Sequence, residues 1–552
     1  MASRRLRVLA QSILLLLGGS PLLPVAAQPP GRAPFRLEET TIADVHAAFA
    51  AGTLTCRQLV GLYLDRVRAY DDSGPKLNTL MTVNPRALEE AAALDERHRT
   101  GPAGPLHCIP VVLKDNINTV DMPTSSGSAI LRDTPALDDA TIVKALRNAG
   151  ALILGKAAMG ELAAGSYSTA GGQQRNPYNP QRDTGGSSSG AAAAVAANLA
   201  TIAVGTDTYT SVRGPATDTG IVGLRPTTGL ISRNGVAPRK PHIDTAGPLA
   251  RTVTDAAILL NVLAGPDRTD PLSLEVYSHY PERSKTGGGY ADFTQFLKAD
   301  SLRGARVGIV RDFFGGDPEV DALAEAALLK MQALGAQLVE VRLDPQLRDP
   351  YVRDWIRNLD EILVYPFREW WETYLTTLKP GAAKTVAEWV EIYETELARS
   401  PLPPATGGFS ALTMMKGSLT HTADDPVYRN MIENILPKIT EMKLAIYSEH
   451  AVDVLVFPFR STFAPPISNP IETVRDPKYV SAPGVPNPAV LGGYGSVGFP
   501  MIVVPMGFGS QGLPTAITFM GRPYEDGKIL GYAFAYEQAS RLRRPSPLLP
   551  PL

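Results

Sequence analysis

Gly185-Gly186-Ser187-Ser188-Ser189-Gly190 runs without a break into Ala191-Ala192-Ala193-Ala194-Val195-Ala196-Ala197. The first six residues carry little side chain, so they read as a loop whose backbone comes close to something else. The next seven predict a helix led in by that loop. Upstream, Ile109-Pro110-Val111-Val112-Leu113 reads as a buried strand and ends in Lys114-Asp115-Asn116. Further strand signals lie at Ala151 to Leu154, Arg306 to Val310, Val452 to Phe457 and Met501 to Pro505. Helical signals alternate with them. Leu54 to Tyr70 reads as a helix with Leu59, Leu62, Leu64 and Val67 inward, and Ile142 to Ala149 as one closed by Gly150. A third is capped by Asp317, has Pro318 in its first turn and ends at Gly335. The alternation predicts an α/β fold. Residues 265 to 300 and 380 to 425 are richer in Pro and Gly and less periodic, and read as insertions or loops.

The chain has 552 residues, with 53 Lys and Arg against 55 Asp and Glu. That near balance gives no electrostatic footprint for nucleic acid or an anionic membrane. A hydrophobic share of 44% allows a sizeable core. The 49 Gly and 48 Pro exceed the usual share of ~12% but stay below the ~25–30% of low-complexity chains. Two cysteines exclude a disulfide-built scaffold and a Cys-only zinc site. Seven scattered histidines form no metal-ligand spacing, so no metal or cofactor is expected.

Arg4, Arg5 and Arg7 precede an apolar run from Val8 to Leu17, which Gly18-Gly19-Ser20-Pro21 breaks. Val25-Ala26-Ala27 offers small residues before a cut, so residues 1–27 read as an export signal cleaved near Ala27. The run is too short to span ~30 Å of hydrocarbon. No stable membrane anchoring is expected, and the product should be periplasmic or secreted. Residues 28–40 read as a Pro-rich leader and 541–552 as an irregular tail. An exported chain would allow Cys56 and Cys108 to pair; two buried free thiols are the alternative.

Three motifs are decoys. Gly150 to Ala157 nearly matches a phosphate-binding loop but ends in Ala157, without the hydroxyl that holds magnesium. Gly493-Tyr494-Gly495-Ser496-Val497-Gly498 fits a dinucleotide fingerprint but leads into a strand rather than a helix. Gly186-Ser187-Ser188-Ser189-Gly190 fits a nucleophile elbow centred on Ser188. No apolar strand feeds it, yet an α/β-hydrolase-type esterase using Ser188 stays as an alternative.

Three segments read together are specific: Ile109 to Asn116, Gly185 to Ala197, and Gly205-Thr206-Asp207-Thr208-Tyr209-Thr210-Ser211-Val212-Arg213 with Gly220 to Ser232 behind it. Here the chain resembles the amidase signature family of serine hydrolases. The resemblance continues through Asp244 to Asp255, Gly498 to Gly512, Gly521-Arg522-Pro523 and Ala535 to Ala539, from about Thr41 to Ala539. It implies a single large domain, 41–540, with a mixed twisted β-sheet flanked by helices and a less family-like stretch at 270–480. It implies a Lys–cis-Ser–Ser triad on Lys114, Ser187 and Ser211, the last two 24 positions apart. The cis peptide bond would be Gly186–Ser187. The oxyanion hole would use the backbone N–H groups of Thr208, Tyr209, Thr210 and Ser211. No cofactor is implied, since base, relay and nucleophile are side chains.

The chemistry is coherent on its own. A serine hydroxyl needs a base within hydrogen-bond reach. Lysine serves only where desolvation populates its neutral amine. The expected activity is hydrolysis of a linear C–N amide bond in a small-molecule substrate, with the oligomeric state open. One departure stands out: the family commonly has Gly-Gly before the nucleophile, where this chain has Tyr209-Thr210. A catalytically silent binding protein on the same fold is therefore a further alternative. Asp207 and Arg213 read as a structural ion pair. The substrate pocket is expected within 270–480, where Trp355, Trp370, Trp371, Tyr365 and Phe367 either bind an apolar substrate or form core.

Overall fold

Every residue of the strand Pro110–Lys114 is buried, as its unbroken Val-Val-Leu run requires of a strand covered on both faces. A computed structural model describes residues 35–100, 104–280, 292–348, 361–381, 383–399, 407–467, 484–486 and 489–552. Residues 1–27, expected as an export signal, most of the expected leader, and Trp355 lie outside the described residues. Arg36–Leu552 forms one compact unit.

The strands are β1 (Leu80–Val83), β2 (Pro110–Lys114), β3 (Leu152–Ala157), β4 (Tyr167–Ser168), β5 (Gly172–Gln173), β6 (Ile202–Asp207) and β7 (Val222–Arg225). They continue as β8 (Thr245–Ala250), β9 (Arg306–Val310), β10 (Gln337–Val341), β11 (Val454–Pro458), β12 (Met501–Phe508) and β13 (Pro514–Met520). Eleven of them form one mixed sheet in the order β1-β3-β2-β6-β8-β7-β12-β13-β11-β9-β10, while β4 and β5 make a separate ribbon. Strands β3, β2 and β6 run parallel, so their carboxyl ends share one edge. That edge is where open α/β sheets bind ligands, and it carries Lys114 and Asp207.

The helix Ser189–Ala196 is buried at all eight positions. Its small side chains let it lie close under the sheet. Pro318–Ala333 is capped by the Asp317 side chain, which accepts from the Glu319 N–H, and it buries Val320, Ala324, Ala327, Leu328 and Met331. The helix Cys56–Arg66 buries Leu59, Val60, Tyr63 and Arg66, whereas Leu62 is exposed. The expected inward set thus needs correcting. The helical period puts Tyr63, not Leu62, beneath Leu59. Arg66 is tolerated inside because carbonyls of Ala197 and Asn198 and the Glu38 carboxylate accept from it.

Cys56 and Cys108 form a disulfide that ties this helix to the entry of β2. The stretch 270–480 supplies β9, β10 and β11 to the main sheet. Residues 380–425, expected as loops, hold the helices Val386–Arg399 and Gly407–Ser418. Trp389 and Met415 join Phe367 and Trp371 in one buried cluster. Burial of those few large side chains organises helices whose sequence lacks clean periodicity. The tail from Arg541 is irregular, and Arg543 pins it to Glu39 at 2.9 Å. Among the described residues no helix is long and apolar enough to cross a membrane.

Candidate active site

Lys114 ends β2 with its side chain fully buried. Its Nζ lies 2.8 Å from Ser187 Oγ, 2.7 Å from Thr206 Oγ1 and 3.2 Å from the Thr206 carbonyl. No carboxylate is bonded to it among the described residues. Desolvation by burial lowers its pKa to about 7; the charges of Asp207 and Asp244 act upward, and that of Arg239 downward. A neutral amine has two hydrogens and one lone pair. Three oxygen partners match that inventory when Thr206 accepts twice and Ser187 donates.

Ser187 sits in the Gly/Ser loop, fully buried, after a cis Gly186–Ser187 peptide bond. A Cβ on Gly186 would overlap the Gly165 carbonyl, so only glycine lets the loop pack there. The Gly160 N–H donates to the Ser187 carbonyl at 3.1 Å. The Ser188 N–H donates to the Ser211 carbonyl at 3.1 Å, which holds Ser211 against the same loop. Ser188 itself is turned away. Its Oγ donates to the Thr206 carbonyl at 3.1 Å and accepts the Thr206 N–H at 3.2 Å.

The loop from Asp207 to Ser211 is held from behind. Asp207 pairs with Arg213 at 3.1 Å and with Arg225 at 2.9 Å, all three fully buried. Burial acts to raise the Asp207 carboxyl, but Arg213 and Arg225 outweigh it and hold it far below the usual carboxylate range. Arg225 also takes the carbonyls of Asp207 and Thr208, and Arg213 that of Tyr209. With its carbonyls drawn to one side, the loop keeps the N–H groups of Thr208, Thr210 and Ser211 without a hydrogen-bond partner among the described residues. The Thr208 hydroxyl donates to Asp244 at 2.7 Å.

Tyr209 packs its ring against Tyr494 at 5.0 Å and under Lys240 Nζ at 4.7 Å. Gly493 makes this possible, because a Cβ there would overlap the Thr208 carbonyl and crowd Tyr209. The aromatic side chain is thus absorbed into packing behind the loop.

A cavity of about 350 Å³ opens beside Thr206 and Thr208. Asn116, Arg239, Trp370 and Tyr374 are among its walls. The segment 233–245 supplies the largest share of its lining, and Asp270, Pro271, Trp370, Thr373, Tyr374 and Thr377 come from the stretch where the pocket was expected. Trp371 and Phe367 are core instead, and Tyr365 stacks on His421. Sequence reasoning missed Thr206, Asn116, Arg225 and Asp244. All four lie within the quoted motifs, but only the crossing of β2, β6 and β7 shows what they touch.

These features define a class: a mixed-sheet α/β protein that sinks an unpaired lysine onto a Gly/Ser loop at the carboxyl edge of its parallel strands. The chain belongs to the amidase family, whose description matches residues 58–530. The peptide amidase of Stenotrophomonas maltophilia has a similar structure, with 34% identity, a TM-score of 0.78, and coverage of 93% of this chain and 99% of that one. A probable amidase of Arabidopsis thaliana is 30% identical over 98% of this chain and 96% of its own length. One component of the glutamyl-tRNA(Gln) amidotransferase of Halorhodospira halophila is 42% identical over 56% of this chain. That match spans 61% of the relative's length.

Proposed function

We propose that the protein is an exported amidase that hydrolyses a linear C–N bond through an acyl-Ser211 intermediate. The observation that carries the reading is the fully buried Lys114, 2.8 Å from Ser187 Oγ and without a carboxylate partner. Neutral Lys114 takes the Ser187 proton while Ser187 takes the Ser211 proton. Ser211 Oγ bonds to the amide carbonyl carbon, and negative charge develops on the carbonyl oxygen. The N–H groups of Thr208, Tyr209, Thr210 and Ser211 stabilise that charge. The C–N bond then breaks, and the proton returns through Ser187 to the departing nitrogen. Water attacks the ester by the same relay and releases the acid.

The similarity to peptide amidase supports an amide substrate. The Cys56–Cys108 disulfide supports an oxidising compartment, consistent with cleavage near Ala27. A fluorophosphonate probe with peptide mapping tests the site. Label on Ser211 supports the amidase, label on Ser188 the esterase, and no label the silent binding protein. Amine release from primary amides, anilides, carbamates and peptide amides defines the substrate. N-terminal sequencing of the protein from an exporting host tests the cut; a retained Met1 overturns it.

A further inference from the structure

The 350 Å³ cavity beside Thr206 has four charged residues in its wall: Arg233, Arg239, Asp244 and Asp270. Three of them are spent on one another or on backbone. Arg233 grips Asp270 through Nε at 2.9 Å and Nη2 at 2.5 Å, and its own N–H adds a third bond at 2.9 Å. Its Nη1 donates to the Pro241 carbonyl. Asp244 accepts from the Thr208 hydroxyl at 2.7 Å and from the N–H groups of Arg239 and Lys240 at 2.8 and 2.7 Å.

Arg239 is different. Its guanidinium makes one hydrogen bond, from Nη1 to the Leu162 carbonyl at 2.6 Å. A guanidinium has five N–H donors. The others have no partner among the described residues, and no carboxylate pairs with the charge. Arg239 shares the cavity wall with Thr206, whose hydroxyl accepts from Lys114 Nζ.

A second group is unsatisfied in the same wall. Asn116 is 3% exposed, and its Nδ2 donates to Thr206 Oγ1 at 3.1 Å. Its Oδ1 is closed to solvent and has no hydrogen-bond partner among the described residues. Trp370, Tyr374, Val236 and Pro238 supply apolar surface between these polar points.

We propose that the cavity takes a substrate carrying a carboxylate on a short apolar spacer, with Arg239 as the ion-pair partner. This rests on the amidase reading for the reaction, but not for the binding. Arg239 is then the residue that selects anionic over neutral amides. Bonds from a guanidinium to a carboxylate favour the anionic member of a matched pair by roughly 10- to 100-fold.

The test uses the monoamides of succinic, glutaric and adipic acid against neutral amides in which an isopropyl group replaces the carboxylate. Turnover is measured on the full-length enzyme, and binding by calorimetry on the Ser211→Ala protein. The expected result is an anionic preference of roughly tenfold or more for at least one pair. Arg239→Gln should bring that ratio near one, and Arg239→Lys should keep part of it. A ratio near one for all three pairs overturns the proposal, as does a preference that survives Arg239→Gln. If no amide is turned over while Ser211→Ala binds the acids through Arg239, the hydrolytic reading fails and the anion site stands.

Discussion

Two buried lysines sit on adjacent parallel strands and meet opposite fates. Lys156 of β3 pairs in register with Leu113 of β2, so Lys114 is one residue further along. Successive residues of a strand point to opposite faces, so the two ammonium groups leave the sheet on different sides. Lys156 finds Asp115 at 3.2 Å, the Thr124 hydroxyl at 2.8 Å and the Pro123 carbonyl at 3.0 Å. Lys114 finds two hydroxyls and a carbonyl. Burial lowers the pKa of both; Asp115 opposes it for Lys156 in direct contact, whereas Asp207 and Asp244 oppose it for Lys114 without bonding to it. The same residue at the same depth thus carries a bonded acid on one face and only neutral oxygens on the other, and the mechanism proposed above takes the second as its base.

The contrast breaks most sharply at Lys114. Lys114→Met should lower kcat by ~10²–10⁴-fold, the usual range for a lost general base. Initial rates at saturating amide measure it. Circular dichroism should remain native, because no buried charge loses its partner.

Lys156→Met should do the reverse. It leaves Asp115 buried and unpaired, which costs about 3–5 kcal/mol of stability. Urea unfolding reads that loss. The folded fraction should keep kcat within about threefold, the size of effect a transition-state change well under 1.4 kcal/mol would cause. Lys156→Met with Asp115→Asn should recover part of the stability, since the orphaned charge is gone.

The pH profile sharpens the comparison further. Lys114 acts as a base only when neutral. Activity should therefore rise with pH through about 7, where burial sets its pKa, and fall away below it. A rate that peaks near pH 5 contradicts Lys114 as base. The smallest expected effect is at Arg239, whose charge presses the Lys114 pKa down. In Arg239→Gln the acid limb should move to higher pH; an unmoved limb would show that the two groups do not communicate.

Much of this was legible in the sequence for definite reasons. Ile109 to Leu113 is apolar without alternation, which suits a strand covered on both sides, and β2 is that strand. Asp317, Pro318 and Gly335 punctuate a helix by local backbone chemistry, and the helix Pro318–Ala333 follows them. The decoys also resolve locally: Lys156 lies inside β3, and Gly498 leads into β12. Local pattern fails where distant packing decides. Leu62 looked inward on hydrophobicity alone, yet Arg66 took the buried place because carbonyls from residues 197 and 198 receive it. Residues 380–425 lacked period, yet Trp389 and Met415 were buried by a cluster assembled across several helices.

The sequence by itself determined the α/β class, the family resemblance, the loop with Ser187 and the strand that carries Lys114. Those rest on local propensity and on motif spacing, which a linear chain displays directly. Only the tertiary structure decided which lysine has no bonded carboxylate among the described residues, where Tyr209 goes, and that Arg239 faces a cavity with bonding capacity to spare. Charge pairing and desolvation depend on distances between residues far apart in the chain, and those distances exist only once the sheet has closed its register.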